Sequence, residues 1–184
     1  MELSMDLVIL ADAFASAAHA AVGQVRKYDK QPYINHPREV RRILVEFATV
    51  VRVSDEMQAA SLLHDVVEDT GVTLELVRET FGDAVAALVS DLTDVSKPED
   101  GNRKLRKQKD LEHTAASSVE AKSIKLADLI SNSRSIVQHD PDFARVYLHE
   151  KARILEVCGD ADPGLLAEAH RVLEESRELL RKDR

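Results

Sequence analysis

Leu62-Leu63-His64-Asp65-Val66-Val67-Glu68-Asp69-Thr70 is the stretch on which the reading of this chain turns. Ala60, Leu62, Leu63 and Val66 make an apolar face at helical spacing, so the segment reads as a core-facing helix that opens at the N-cap Ser54 and ends near Asp69-Thr70-Gly71. Its polar residues are out of keeping with that face. His64 and Asp65 are neighbours about 100° apart on a helix and lean toward one point beside it. Glu68 falls four residues after His64 and three after Asp65, and Asp69 falls four after Asp65, so these pairs share a face. The plain reading is a solvated acidic helix end. Against it, His64 and Asp65 directly follow two leucines, where burial is deepest, and buried ionisable groups are costly unless paired or bound to metal.

Working outward, the pattern is helical nearly throughout. An alanine-rich helix spans Leu3 to about Val25. The basic turn Arg26-Lys27-Tyr28-Asp29-Lys30 leads into Gln31-Pro32-Tyr33-Ile34-Asn35-His36-Pro37, a two-proline loop that cannot be helical inside. Pro37 starts a helix to about Val51, with Val40, Ile43, Leu44 and Phe47 on one face. Thr73 caps a short helix ending near Gly82, and another runs to about Asp94. After a polar loop, Ser96 to Asn102, comes a charged helix from Arg103 to about Leu111. Ser117 or Ser118 opens a helix reaching about His139. Asp140-Pro141 starts another that ends near Gly159, and Pro163 to Lys182 closes the chain. No period-2 strand and no internal repeat is visible, so the expectation is an all-α helical bundle in one domain over residues 1–184.

Composition narrows the function. With 25 Lys and Arg against 33 Asp and Glu, the formal charge is −8, which argues against a nucleic-acid backbone as general partner. Six glycines and five prolines are too few for a turn-rich β fold. The single cysteine, Cys158, excludes an intrachain disulfide framework and a cysteine-rich zinc site. The early apolar run is interrupted by Glu2, Asp6 and Asp12 and lacks a preceding base, so it reads as the first helix of a cytoplasmic protein rather than a signal peptide or membrane span.

Metal binding at His64 and Asp65 needs donors from elsewhere in the chain. His36 stands in the two-proline loop, and Asp128 interrupts the apolar stretch Ile124-Lys125-Leu126-Ala127-Asp128-Leu129-Ile130. A second His-Asp pair, His139-Asp140, precedes Pro141 at a helix break and reads as an N-cap. His19, His113, His149 and His170 have no acidic or histidine partner in a matching context and read as surface or core-edge residues.

The set His36, His64-Asp65 and Asp128 resembles the H…HD…D signature of the HD phosphohydrolase superfamily. Tyr33-Ile34-Asn35-His36-Pro37, Leu62 to Thr70, and Lys125-Leu126-Ala127-Asp128 with Asn132 resemble the hydrolase domain of RelA/SpoT proteins, in the form of the stand-alone small alarmone hydrolases. The resemblance implies an HD-domain helical bundle in which His36, His64, Asp65 and Asp128 hold one metal, usually Mn²⁺. Two imidazoles and two carboxylates would also accept Fe²⁺, Zn²⁺ or Ni²⁺. It implies Glu68 and Asp69 as the catalytic acidic pair. The implied substrate is guanosine bearing a 3′-pyrophosphate, hydrolysed to GDP or GTP and pyrophosphate. Alternatives are another 3′-phosphorylated nucleotide, or binding of an alarmone without cleavage.

Arg26 and Lys27 match a basic pair near the base, and Arg106 and Lys107 a basic helix facing the pyrophosphate. The run Arg103 to Lys109 reads equally as a solvated helix face. Tyr33, Asn132 and Arg134 match the nucleoside pocket, with packing for Tyr33 and the surface for Arg134 as the other readings. Leu129 and Ser131 stand where many family members have lysine and an aromatic residue, and Gln31 where threonine is common. These departures spare the metal ligands and touch the surroundings of the base and ribose.

Overall fold

Helix α8 (Val119–His139) is the axis of the structure, a computed structural model that describes residues 2–182. Its residues from Ala121 to Ile124 and from Leu126 to Ser131 are buried, which calls for neighbours on nearly every side. Those neighbours are α2 (Asn35–Phe47), α3 (Asp55–Leu63), α6 (Asp83–Leu92), α9 (Pro141–Val157) and α10 (Pro163–Lys182). Helix α1 (Glu2–Ala21) covers α3 and the one-turn α4 (Val66–Asp69). Helix α5 (Leu74–Phe81) pairs with α6, and α7 (Arg103–Ala116) lies on α9. Among the described residues the β pairing is a single antiparallel bridge, Val25 to Pro32, in the loop between α1 and α2. No described helix is long and apolar enough to cross a membrane.

The helices expected from periodicity are present, with shifted ends. Helix α1 stops at Ala21 rather than near Val25. Gly23 takes a left-handed φ of +67°, its N–H donates to the Ala20 carbonyl, and the Gln24 N–H reaches back to the His19 carbonyl. Helix α2 starts at Asn35, ahead of Pro37, so His36 sits in its first turn rather than in the loop. It ends at Phe47, where Ala48 turns extended. Helix α7 continues past Leu111 to Ala116. The expected helix through Asp69 is broken: α3 ends at Leu63, Asp65 has φ −99° and ψ −5°, and α4 restarts at Val66. The His64 imidazole contributes to the break, because its Nδ1 donates to the Ser61 carbonyl, the acceptor a continuing helix would offer the Asp65 N–H.

One carboxylate closes the far end of the bundle. Asp162 is fully buried and accepts from the backbone N–H groups of Thr49, Val50 and Val51 after α2, and of Gly164 and Leu165 at the start of α10. The two chains approach so closely that a Cβ on Gly164 would collide with the Phe47 carbonyl and the Thr49 side chain. Burial works against the Asp162 charge, but the Val50, Val51 and Thr49 donors hold the group down to about 2. Because the folded value is depressed, the stability it contributes is present above about pH 4 and is lost as pH falls toward 2. Asp162→Ala is expected to cost about 2–4 kcal/mol in urea unfolding at pH 7 by leaving these donors unpaired. The loss should shrink at pH 3.

Candidate active site

Three separate elements bring four side chains to one point. His36 comes from the first turn of α2, His64 and Asp65 from the break between α3 and α4, and Asp128 from the middle of α8. His36 Nε2 lies 3.1 Å from Asp128 Oδ1 and 3.7 Å from Asp65 Oδ2. His64 Nε2 lies 3.0 Å from Asp65 Oδ2 and 3.8 Å from Asp128 Oδ1. One donor atom from each of His36, His64 and Asp65 falls within 4.8 Å of the others, a grouping able to hold a metal ion. Both histidines are almost fully buried.

The outer partners decide which nitrogen faces inward. His64 Nδ1 donates to the Ser61 carbonyl at 2.9 Å, an acceptor only, so that nitrogen carries the proton. The Ser131 hydroxyl donates to Glu39 Oε2 at 2.8 Å and therefore accepts from His36 Nδ1 at 3.1 Å. In the neutral rings both Nε2 atoms present lone pairs to two carboxylates. Four acceptors converge with no proton between them, and the buried His64 Nε2 has no hydrogen-bond partner. A divalent cation fits this donor set, and hydrogen-bonded outer partners of this kind are what orient metal-ligating histidines. In the protein alone, burial opposes charge on His64, yet the Asp65 carboxylate lifts the imidazole to about 9. Burial likewise opposes charge on Asp65 and Asp128, and the two histidines hold both well below the carboxylate range. A bound cation would take over that neutralising role and displace the proton.

Other expected site residues brace this cluster. The Tyr33 hydroxyl donates to Asp65 Oδ2 at 2.6 Å, and Asn132 Nδ2 donates to Asp128 Oδ1 at 2.6 Å. Tyr33 and Asn132 also line a pocket of about 200 Å³ with Arg26, Lys27, Tyr28 and His36. Lys27 pairs with Asp140 at 3.0 Å, while Asp140 caps α9 by accepting from the Phe143 N–H. The second His-Asp pair is thus the N-cap its sequence indicated.

Glu68 and Asp69 project from α4 to either side. Glu68 Oε1 accepts from the Asp94 N–H at 2.5 Å, and Asp69 Oδ2 accepts from Gln24 Nε2 at 2.8 Å. Loss of hydration pushes Glu68 up to about 7, with the nearby Asp94 and Asp65 charges adding to it and the Asp94 N–H and Lys125 opposing it.

Beyond Asp94 lies a cavity of about 320 Å³ whose lining includes Arg103, Lys107, Lys125, Lys151 and Phe143. Phe143 borders both pockets. Lys107 pairs with Asp94 at 2.8 Å and Asp110 at 3.2 Å. Burial disfavours the charge on Lys125, but Asp128 and Asp94 outweigh it and raise the group. Burial lowers Lys151.

Two expected residues do not join these pockets. Arg134 turns to α10 and pairs with Glu168 at 2.6 Å, because Glu168 is the buried carboxylate within its reach. Arg106 lines neither pocket. It stands one residue before Lys107 on α7, and about 100° of helix rotation separates their directions.

The sequence reading passed over Asp94, Lys125, Lys151, His19 and Gln24. Lys125 carried the same signal as Asp128, a lone charge in an apolar stretch. His19, expected at the surface or the edge of the core, is buried, with Nδ1 2.6 Å from Gln24 Oε1.

An α-helical bundle that brings two histidines and two aspartates to one buried point defines a class of divalent-metal-binding proteins. The chain belongs to the HD-domain family, whose model matches residues 11–155. It is 36% identical over 144 residues to a guanosine-3′,5′-bis(diphosphate) 3′-pyrophosphohydrolase of Xenopus tropicalis, covering 76% of each chain. It is 40% identical over 120 residues to the enzyme of the same name from Drosophila melanogaster, covering 64% of each. Among solved structures it superposes on a metazoan ortholog of SpoT, described as hydrolysing ppGpp and playing a role in starvation responses. The TM-score is 0.80 at 29% identity, over 94% of this chain and 96% of the other.

The hydrogen-bonded row His36, Ser131, Glu39 generates a prediction. Ser131→Ala should weaken divalent-metal binding, measured by calorimetric titration of the metal-free protein, by about 10–100-fold.

Proposed function

We propose that the chain is a metal-dependent hydrolase acting as one domain on guanosine tetra- or pentaphosphate, (p)ppGpp. It would remove the 3′-pyrophosphate with water and leave GDP or GTP. The activity named for its relatives supports the reaction and the substrate class. The observation that carries the reading is the acceptor-only cluster of His36, His64, Asp65 and Asp128, flanked by the carboxylates of α4 and beside a lysine-rich cavity. In this reading the four residues are ligands to one divalent ion, Mn²⁺ by family resemblance. Such an ion supplies Lewis acidity and lowers the pKa of a bound water.

Glu68 and Asp69 orient the attacking water and take its proton. Water oxygen bonds to the phosphorus attached to the ribose 3′ oxygen, the bond between them breaks, and the 3′ oxygen ends protonated. Lys125, Lys151 and Lys107 offer positive charge to the departing pyrophosphate. Arg26, with a planar guanidinium beside Tyr33 and Asn132, suits a nucleoside. The net charge of −8 favours a small nucleotide over nucleic acid, and a cytoplasmic location fits the substrate.

The test is an assay of the purified protein with Mn²⁺ against a panel of 3′-phosphorylated nucleotides. Glu68→Gln and Asp69→Asn together should lower kcat by about 10²–10⁴-fold while one metal and the nucleotide still bind. Because Glu68 must be ionised to act and loss of hydration raises it, kcat of the wild type should fall on the acid side of its pH profile. That limb should vanish in Glu68→Gln. Wild-type turnover by the double variant, or cleavage of adenosine nucleotides in preference to guanosine nucleotides, would contradict the reading.

A further inference from the structure

Asp69 is held from outside α4, and the hold begins at the end of α1. The left-handed Gly23 turns the chain back so that the Gln24 N–H meets the His19 carbonyl at 3.0 Å. That closure brings the side chains of His19 and Gln24 together. In many helix ends a hydrophobic contact joins these two positions. Here a hydrogen bond does, His19 Nδ1 to Gln24 Oε1 at 2.6 Å. The Gln24 amide nitrogen then donates to Asp69 Oδ2 at 2.8 Å.

The order of donors is forced. Ionised Asp69 only accepts, so the amide must turn its nitrogen to it and its oxygen to His19. The oxygen in turn requires a proton on Nδ1. The imidazole cannot turn away, because it is 1% exposed and its ring lies 4.7 Å from that of Tyr33, the residue that donates to Asp65. Its other nitrogen is buried without a hydrogen-bond partner, so the contact with Gln24 is its one polar anchor. Asp69 itself ends a helix of one turn and has little else to fix its direction.

We infer that His19 and Gln24 form a positioning relay for the known class of reaction, fixing the rotamer of the Asp69 carboxylate relative to the attacking water. The inference rests on the catalytic reading of Asp69 and deepens it. Neither residue is one of the four cluster residues or lines the two pockets, and only His19 packs on Tyr33, so loss of the Gln24 donor should alter the chemical step and spare binding.

The test is a double-mutant cycle on the Mn²⁺-loaded protein with (p)ppGpp. Gln24→Met keeps length and removes the donor. It should lower kcat on the order of 10-fold, in the range seen when a partner orienting an active-site group is lost. KM, metal stoichiometry and melting temperature should stay near wild type. His19→Phe keeps the ring beside Tyr33 and should give the same pattern, more weakly. In an Asp69→Asn background neither change should cost anything further, since a residue acting only through Asp69 has nothing left to position.

Unchanged kcat in Gln24→Met, with Asp69→Asn impaired, would overturn the relay and leave the catalytic reading standing. So would an equal further loss in the Asp69→Asn background, or loss of metal in Gln24→Met. Wild-type turnover by Asp69→Asn would end both together.

Discussion

Four hydrogen-bond acceptors meet in a nearly dry space, and no proton of the protein lies between them in the neutral state of the histidines. His36 Nε2 and His64 Nε2 point at Asp65 Oδ2 and Asp128 Oδ1 over distances of 3.0 to 3.8 Å. Lone pairs so arranged repel unless a positive charge is shared among them. The protein alone meets the need by lifting His64 to about 9, which places one proton where a divalent ion would neutralise the cluster. The surrounding structure follows from keeping these atoms at that spacing.

The scaffold does so by drawing the four side chains from three places, α2, the break between α3 and α4, and α8, and tying them from behind. Helix α8 is packed on nearly every side around Asp128, with Asn132 one turn on to hold the Asp128 carboxylate. His36 is fixed through Ser131 to Glu39, which links α2 to α8. His64 and Asp65 sit where α3 breaks. The break lets Asp65 face the cluster and the Tyr33 hydroxyl together, and it turns α4 so that Glu68 and Asp69 flank the cluster without entering it. Asp162, at the opposite end of α2 and α10, keeps the same helices from sliding.

Much of this was legible in the residues. Periodicity locates most of the helices because they bury one face, while α8, buried on nearly every side, is legible as a long apolar run between capping residues. The buried cluster is legible because His64, Asp65 and Asp128 are polar residues where leucines belong. Ends were less legible, since Gly23 reads as a tolerated small residue in an alanine-rich helix until its φ of +67° is known. The break at His64 was hidden for a related reason: it depends on an imidazole competing for a backbone carbonyl, which no pattern of hydrophobicity encodes. Arg134 and Arg106 match family positions, yet a long flexible side chain goes to whichever carboxylate is nearest, for Arg134 Glu168, while Arg106 is half-buried with its Nε unpaired. Ser131 looked like a departure from the family and proves to be the group that sets the His36 tautomer.

Turnover depends on what occupies the four-acceptor cluster. The direct measurement is a titration of metal-free protein with Mn²⁺, following pyrophosphate release from (p)ppGpp by phosphorus NMR. The account predicts an inert starting protein and activity that rises in proportion to added Mn²⁺ and levels off at one ion per chain, with GDP or GTP carrying a free 3′-hydroxyl as the other product. Steady turnover before any metal is added, or activity that saturates without a bound ion at His36, His64, Asp65 and Asp128, would contradict it.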